Sequence, residues 1–343
     1  MAKKHWVRLG IIFFLTVVFL FFFVRSVKWG EVRGYLLDIN IPFFVLSIVL
    51  VPVHLFTRGL RWKYLLVHEK PDISVYNLFA ANAVGFTVNL IFPGRLGELV
   101  KPLYLAKKEN LRKGFCLGTV VVERTFDIFV MCALLGAFML ARPLFVKILP
   151  VDKDVASNLT LWGGIGVAFA TVLLFLTLAL YFFKDRTLRV ITAVLRPLPE
   201  RWSAKILELI REFIEGLKFF RSPANMLMYG LMSFVVWLGI VFYYWIFFLA
   251  YKQHVPYFFL IPYCFLVMIG ASIPTPGMVG GYHYFSKLAM TSILRMNPSL
   301  AFAMTTVVHA IQLVVTCLIG YAILWKEGLS LFQLKHLGDR EAP

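Results

Sequence analysis

Charge is scarce in this sequence. Only 15% of its 343 residues are Asp, Glu, Lys or Arg, whereas 60% are hydrophobic, and a soluble domain carries about a quarter charged residues. The mean hydropathy of +0.80 points the same way and sets a soluble fold aside. Acids are the scarcer sign, 18 against 35 basic residues. In a membrane chain that surplus belongs at the cytoplasmic ends of the spans, beside anionic lipid, rather than on nucleic acid. The cysteines Cys116, Cys132, Cys264 and Cys317 form no Cys-x-x-Cys pair, so they read as small buried hydrophobes, not as disulfide or metal chemistry. No Gly-x-x-x-x-Gly-Lys-Ser/Thr loop is present, and direct use of ATP has no support. No cofactor or metal is expected. A small-residue cleavage site is missing as well: Arg25, Ser26, Val27 and Lys28 follow the first apolar run, which therefore reads as a retained span.

What the sequence does have is long apolar runs, near 6–27, 39–57, 73–92, 115–141, 159–183, 226–250, 255–273 and 299–325. About twenty residues cross the hydrocarbon core, but charge parity argues against a crossing by every run. If 73–92 crosses, Lys101, Lys107, Lys108, Arg112 and Lys113 face the opposite side from Arg58, Arg61 and Lys63, against the positive-inside rule. The stretch after Phe92 holds Pro93, Arg95, Glu98, Lys101 and Pro102 and does not carry the chain back alone. A re-entrant hairpin turning at Pro93-Gly94 resolves both difficulties. The run 255–273 breaks alike at Pro274-Thr275-Pro276-Gly277, ahead of an amphipathic stretch from Tyr282 to Leu294.

The expected fold class is an all-α polytopic membrane protein, one integral membrane domain over 1–343 with about six full spans, two re-entrant hairpins and both termini cytoplasmic. Span, hairpin, span recurs over 39–141 and 226–325 from opposite faces. That is the pattern of an inverted repeat whose broken helices meet near the midplane and line a cavity. Between the repeats, 184–222 reads as a cytoplasmic amphipathic segment, with Ile206, Leu209, Ile210, Phe213, Leu217 and Phe220 opposite Lys205, Glu208, Arg211, Glu212, Glu215 and Lys218. Gly30-x-x-x-Gly34 is a small-residue pattern of the helix-packing kind.

Ionisable groups at membrane depth cost several kcal/mol unless paired or hydrated, roughly 3 kcal/mol on insertion scales, which makes them functional candidates. The first constellation is Pro93, Gly94, Arg95, Gly97, Glu98 and Lys101 with Glu123, Arg124 and Asp127 on the next span. Read as a site, Arg95 with Arg124 receives a lipid phosphate while Glu98, Glu123 and Asp127 orient the cations, Lys101 among them. Read as structure, the same residues are an ion-pair network that locks the hairpin to the span. The second constellation, Pro274, Pro276, Gly277, Gly280, Gly281 and His283, lets backbone approach backbone or substrate, with His283 as a titratable gate. His309, beside Gln312, reads as an interhelical hydrogen-bonding group. No catalytic residue and no metal ligand is assigned.

The motifs Phe92-Pro93-Gly94-Arg95-Leu96-Gly97-Glu98, Val122-Glu123-Arg124-x-x-Asp127 and Ser272-Ile273-Pro274-Thr275-Pro276-Gly277 resemble those of a flippase-like membrane protein family. That family is related to the transmembrane domain of lysylphosphatidylglycerol synthases, and the resemblance covers most of residues 5–327. It implies a lipid flippase or scramblase of the cytoplasmic (inner) membrane, moving a phospholipid or lipid-linked precursor between leaflets. The partner enzyme it implies is a lipid-modifying one, while the basic residues of the first constellation point to a membrane lipid with an anionic headgroup. Two departures bear on charge compensation in the second hairpin: Met278 stands where the family commonly has a second glycine, and His283 where an acid usually falls. The sequence ends at Pro343 without a soluble aminoacyl-transfer domain, so it is not expected to make lysyl-lipid itself. The rivals are a membrane-embedded glycosyl or lipid transferase with Glu98 or Glu123 as acid/base, and a scaffold for a lipid-modifying enzyme. The first lacks an accompanying metal cluster, nucleophile or nucleotide loop.

Overall fold

The computed structural model describes residues 28–145, 183–195 and 222–329 without interruption, with isolated positions at 18, at 21 and between 157 and 214. Among them every regular element is helical: α1 (Trp29–Leu37), α2 (Ile41–Leu66), α3 (Val75–Ile91), α4 (Gly97–Glu109), α5 (Lys113–Phe145), α6 (Lys184–Leu195), α7 (Pro223–Ala250), α8 (Leu260–Ser272), α9 (Gly281–Ser292) and α10 (Pro298–Lys326). The chain is an all-α polytopic membrane protein. Four helices among the described residues are long and apolar enough to cross a membrane, Ile41–Leu66, Lys113–Ala141, Pro223–Ala250 and Pro298–Lys326. The expected runs at 6–27 and 159–183 lie largely outside the described residues, as does most of the face at 205–220.

Polar caps and prolines set the helix starts. Asn40, Ser74, Ser222 and Asn297 each accept a first-turn backbone N–H, and Pro223 and Pro298 occupy first positions where no N–H is needed. Pro93 forces Phe92 into an extended conformation, which ends α3 after 17 residues, a length of about 26 Å. With 13 residues each, α4 and α8 rise only about 20 Å. None of the three reaches across a core of roughly 30 Å alone.

Antiparallel contacts fold the short helices into pairs. In the first pair the Gly97 N–H donates to Asn89 Oδ1 at 2.7 Å, and Gly85 faces Gly97 and Lys101. In the second pair Gly270 faces Gly281 and Phe285. Each pair begins and ends at one end of the bundle. Lys70 bonds Glu109 (2.7 Å), Arg112 bonds Glu69 (3.0 Å), Lys108 bonds Glu327 (2.9 Å) and Asn225 meets His68 (3.1 Å), so the α2–α3, α4–α5 and α10 termini gather together with the start of α7. The Glu109 bond also holds the Lys70 ammonium above its ordinary pKa. At the other end Lys252 pairs with Asp38, the Asn40 N–H donates to Ala250 O at 2.7 Å and the Lys28 N–H to Ser299 Oγ at 3.1 Å. The first pair is rooted at one end and the second at the opposite end.

The helix α10 is the shared support of both pairs. Thr87 Oγ1 donates to Thr316 O at 3.0 Å from the first, and Ser286 meets Thr305 at 2.9 Å from the second. Their tips touch, with Gly277 packed on the Leu90 carbonyl. Gly30 and Gly34 have open space beside them among the described residues, none of which packs a helix on that pattern.

Candidate functional site

Two large apolar clusters fill most of the bundle, and along α5 a charged layer separates them. Val120 and Val122 belong to one cluster, Val130 to Phe138 to the other, and Glu123 and Asp127 fall between. Glu123 lies ten residues into the helix, about 15 Å from its start, or half the thickness of the hydrocarbon core.

At that depth both carboxylates are enclosed by cations. Glu123, with no exposed surface, takes Lys101 Nζ at 2.6 Å, Arg124 at 2.8 Å and Arg61 at 2.9 Å. Asp127 takes Arg61, Arg124 at 3.3 Å and the Trp237 indole N–H at 2.9 Å. Glu98 bridges Arg95 at 3.3 Å and Arg124 at 3.5 Å. Arg58 donates from Nε to His54 Nε2 at 2.8 Å and stands 3.8 and 3.9 Å from Glu123 and Asp127. Aromatic faces finish the enclosure: Lys101 lies 4.3 Å over Trp62, and Arg58 lies 5.1 Å over Phe86.

Beside this network is a cavity of about 360 Å³. Its charged wall is Arg58, Arg95, Arg124 and Asp127; the facing wall is apolar and aromatic, including Trp237, Ile240, Tyr243 and Val267. Leu90 and Arg95 come from the first helix pair, Ala271, Met278 and Tyr282 from the second, and His309, Gln312 and Thr316 from α10. Each tip carries a glycine followed by a larger residue with positive φ: Gly94 (81°) then Arg95 (55°), and Gly277 (60°) then Met278 (58°). A left-handed L residue costs about 1–2 kcal/mol, and here both such side chains border the cavity. A second recess, about 380 Å³ and mostly apolar, lies between α4 and α5 beside Leu99, Leu117, Val120 and Val121. Arg95 and Arg124 border both spaces, and Glu98 links the two arginines.

The structure thus gathers Arg95, Glu98, Lys101, Glu123, Arg124 and Asp127. Lys101 is buried behind the cavity, clamped by Glu123 and Trp62, and does not line it. His283 does not line it either: its ring packs 4.6 Å from that of His309 and 5.8 Å from that of Tyr282, turned away from the opening. His309, whose ring packs against those of Tyr282 and His283, takes the cavity-facing place. Pro93, Gly94, Pro274, Pro276 and Gly280 shape the two breaks, while Gly97 and Gly281 seat the helix contacts. Arg58 and Arg61, read from sequence as charges flanking the membrane, are 6% and 0% exposed inside the network. The signal for them is His54-x-x-x-Arg58-x-x-Arg61, one helix face by spacing.

A multi-pass helical membrane protein with a buried ion network beside a half-apolar cavity is the class these features define. The chain belongs to the family described as the lysylphosphatidylglycerol synthase TM region, which it matches over residues 6–320. It is 22% identical to UPF0104 membrane protein MJ1595 of Methanocaldococcus jannaschii over 233 residues, 65% of each chain. It is 23% identical to Glycosyltransferase AglD of Haloferax volcanii over 342 residues, covering 92% of this chain and 54% of that protein. UPF0104 membrane protein MJ1078 of M. jannaschii is 33% identical over 88 residues, 26% of this chain and 36% of that one. The chain therefore spans less than two thirds of the length of these relatives. No solved structure matches it.

Proposed function

We propose that the protein is a lipid flippase or scramblase of the cytoplasmic membrane, moving an anionic lipid between leaflets. The observation that carries this reading is the cavity itself, with three arginines on one wall, aromatic and aliphatic side chains on the other, and contributions from both broken helix pairs. Its size falls within the ~300–1,000 Å³ of small-molecule sites, enough for a headgroup. The neighbouring recess suits a chain that remains in the bilayer while its headgroup passes Arg95 and Arg124. The basic end of the bundle, with Lys70, Lys107, Lys108, Arg112 and Lys113, is the cytoplasmic one by the positive-inside rule. On this reading the first pair dips in from the cytoplasm, the second from outside, and 39–141 and 226–325 form an inverted repeat around the cavity.

The name of AglD favours one second reading, a membrane-embedded transferase, but the match covers only 54% of that protein. In this chain Glu98, Glu123 and Asp127 are each held by arginine or lysine, which suits fixed counter-charges better than a proton-exchanging acid. Proteoliposomes containing only this protein and a fluorescent lipid separate the readings. A flippase or scramblase exposes inner-leaflet label to an external quencher with the lipid's mass unchanged. A transferase changes the mass, and a scaffold does neither; either result overturns the proposal.

A further inference from the structure

Counting the charges of the network narrows the headgroup. Arg58, Arg61, Arg95, Lys101 and Arg124 meet Glu98, Glu123 and Asp127, five cations against three carboxylates, a surplus of two positive charges. His54 adds nothing to the count, because its Nε2 accepts from Arg58 and carries no proton. An uncompensated charge at this depth costs several kcal/mol, so the surplus asks for an anion.

The surplus is also localised. Arg61 is ion-paired to both Glu123 and Asp127, and Lys101 to Glu123, on the side away from the cavity, although Arg61 Nε and Nη2 make no hydrogen bond there. Arg58, Arg95 and Arg124 line the cavity, and each keeps a buried nitrogen without a hydrogen-bond partner: Arg58 Nη1, Arg95 Nε and Arg124 Nε. Arg58 is the clearest case, 6% exposed, with its nearest carboxylate oxygens beyond hydrogen-bond range at 3.8 and 3.9 Å. Leaving such donors unmet is costly, and guanidinium groups match phosphate oxygens two at a time.

We propose that the cavity binds a phosphate monoester in its doubly ionised form, held by Arg58, Arg95 and Arg124. This rests on the lipid-moving reading and narrows it to lipids with a terminal phosphate. A monoester near neutral pH carries nearly two negative charges and three acceptor oxygens, one oxygen for each arginine that lines the cavity and a charge equal to the surplus. A phosphodiester offers two free oxygens and one charge, and leaves one arginine unmet. A headgroup whose phosphodiester is balanced by an ammonium carries no net charge and leaves the surplus uncancelled. The chain is set by the apolar wall of Trp237, Ile240, Tyr243 and Val267, which accepts acyl or isoprenoid hydrocarbon alike.

The test is binding to the full chain in detergent, with four probes: dioleoyl phosphatidic acid, dioleoyl phosphatidylglycerol, farnesyl phosphate and inorganic phosphate. The expected result is that one or both lipid monoesters bind at least about tenfold more tightly than phosphatidylglycerol, and the tighter of the two identifies the chain. Phosphatidylglycerol binding within about threefold of both monoesters overturns the proposal. So does inorganic phosphate binding as tightly as the lipids, since the ligand is then a soluble anion. Arg58→Gln is expected to erase the monoester preference, and a variant that retains it overturns the role of Arg58; the wild-type comparison decides the ligand class even where the variant fails to fold. Monoester preference without leaflet exchange sinks the transport reading alone, whereas exchange without monoester preference sinks this inference alone.

Discussion

Gly97 sits directly on the carbonyl oxygen of Gly85, so that a methyl group on Gly97 would overlap it and also meet Asn89 Oδ1 at 2.7 Å. The companion pair repeats the relationship, with Gly270 and Gly281 each 2.6 Å from the other's carbonyl oxygen if given a Cβ. Neither obstacle is the movable end of a long side chain.

Gly97→Ala is therefore expected to cost about 3 kcal/mol or more, the upper range for overpacking a filled interior. Gly30→Ala and Gly34→Ala, which meet no other described residue, are expected to change stability by less than about 1 kcal/mol and in the favourable direction. Thermal unfolding of the three purified variants makes the comparison. Equal melting temperatures for Gly97→Ala and wild type would show that the two helices do not pack through these glycines.

Glu123 and Glu98 belong to one network but differ in burial, and their neutralisation should differ accordingly. Glu123→Gln leaves Lys101 and Arg61 short of a counter-charge in a fully enclosed place and is expected to cost about 3–5 kcal/mol. Glu98→Gln, in a pair whose side chains are 28% and 22% exposed, is expected to cost under about 1 kcal/mol. Denaturation in mild detergent ranks them. The reverse order would place the energetic centre of the network at the tip instead of behind the cavity.

Arg95 offers the sharpest functional variant because its one carboxylate partner among the described pairs is Glu98. Arg95→Ala and Arg95→Lys are both expected to fold and to slow leaflet exchange by about tenfold or more, since lysine restores the charge but not the planar fork. Should both exchange lipid at the wild-type rate, the network serves only to lock α4 against α5.

Lys108 and His254 lie at opposite ends of the bundle, one pairing with Glu327 and the other in the turn beside Lys252 and Asp38. An impermeant thiol reagent is expected to label His254→Cys in intact cells and Lys108→Cys only after the cells are permeabilised. Three of the native cysteines are buried and contribute little background. Labelling of Lys108→Cys from outside would reverse the assigned orientation.

The helix breaks were legible in the sequence because proline and glycine act locally: Pro93 dictates the backbone of Phe92 whatever surrounds it. The acids of α5 were legible because a carboxylate inside an apolar run has no ordinary explanation. Arg58 and Arg61 were not. They stand near the end of a hydrophobic run, where arginines usually reach for the interface, and only the approach of Glu123 and Asp127, more than sixty residues away in sequence, turns them inward. His283 misled for the opposite reason. Its place beside a Pro/Gly break drew attention, yet in α9 the cavity side belongs to Tyr282, and His283 is turned toward His309.

The contact of Gly277 with Leu90 joins the tips of two helix pairs anchored at opposite ends of the molecule. Each tip is thus part of the floor seen from its own side and part of the ceiling seen from the other. A tilt that lifts one pair away from α10 is expected to drag on the other where the tips meet, so that on the proposed lipid-moving reading widening one face and narrowing the other is one displacement, not two. On that reading no separate latch is needed to keep the cavity from standing open at both ends.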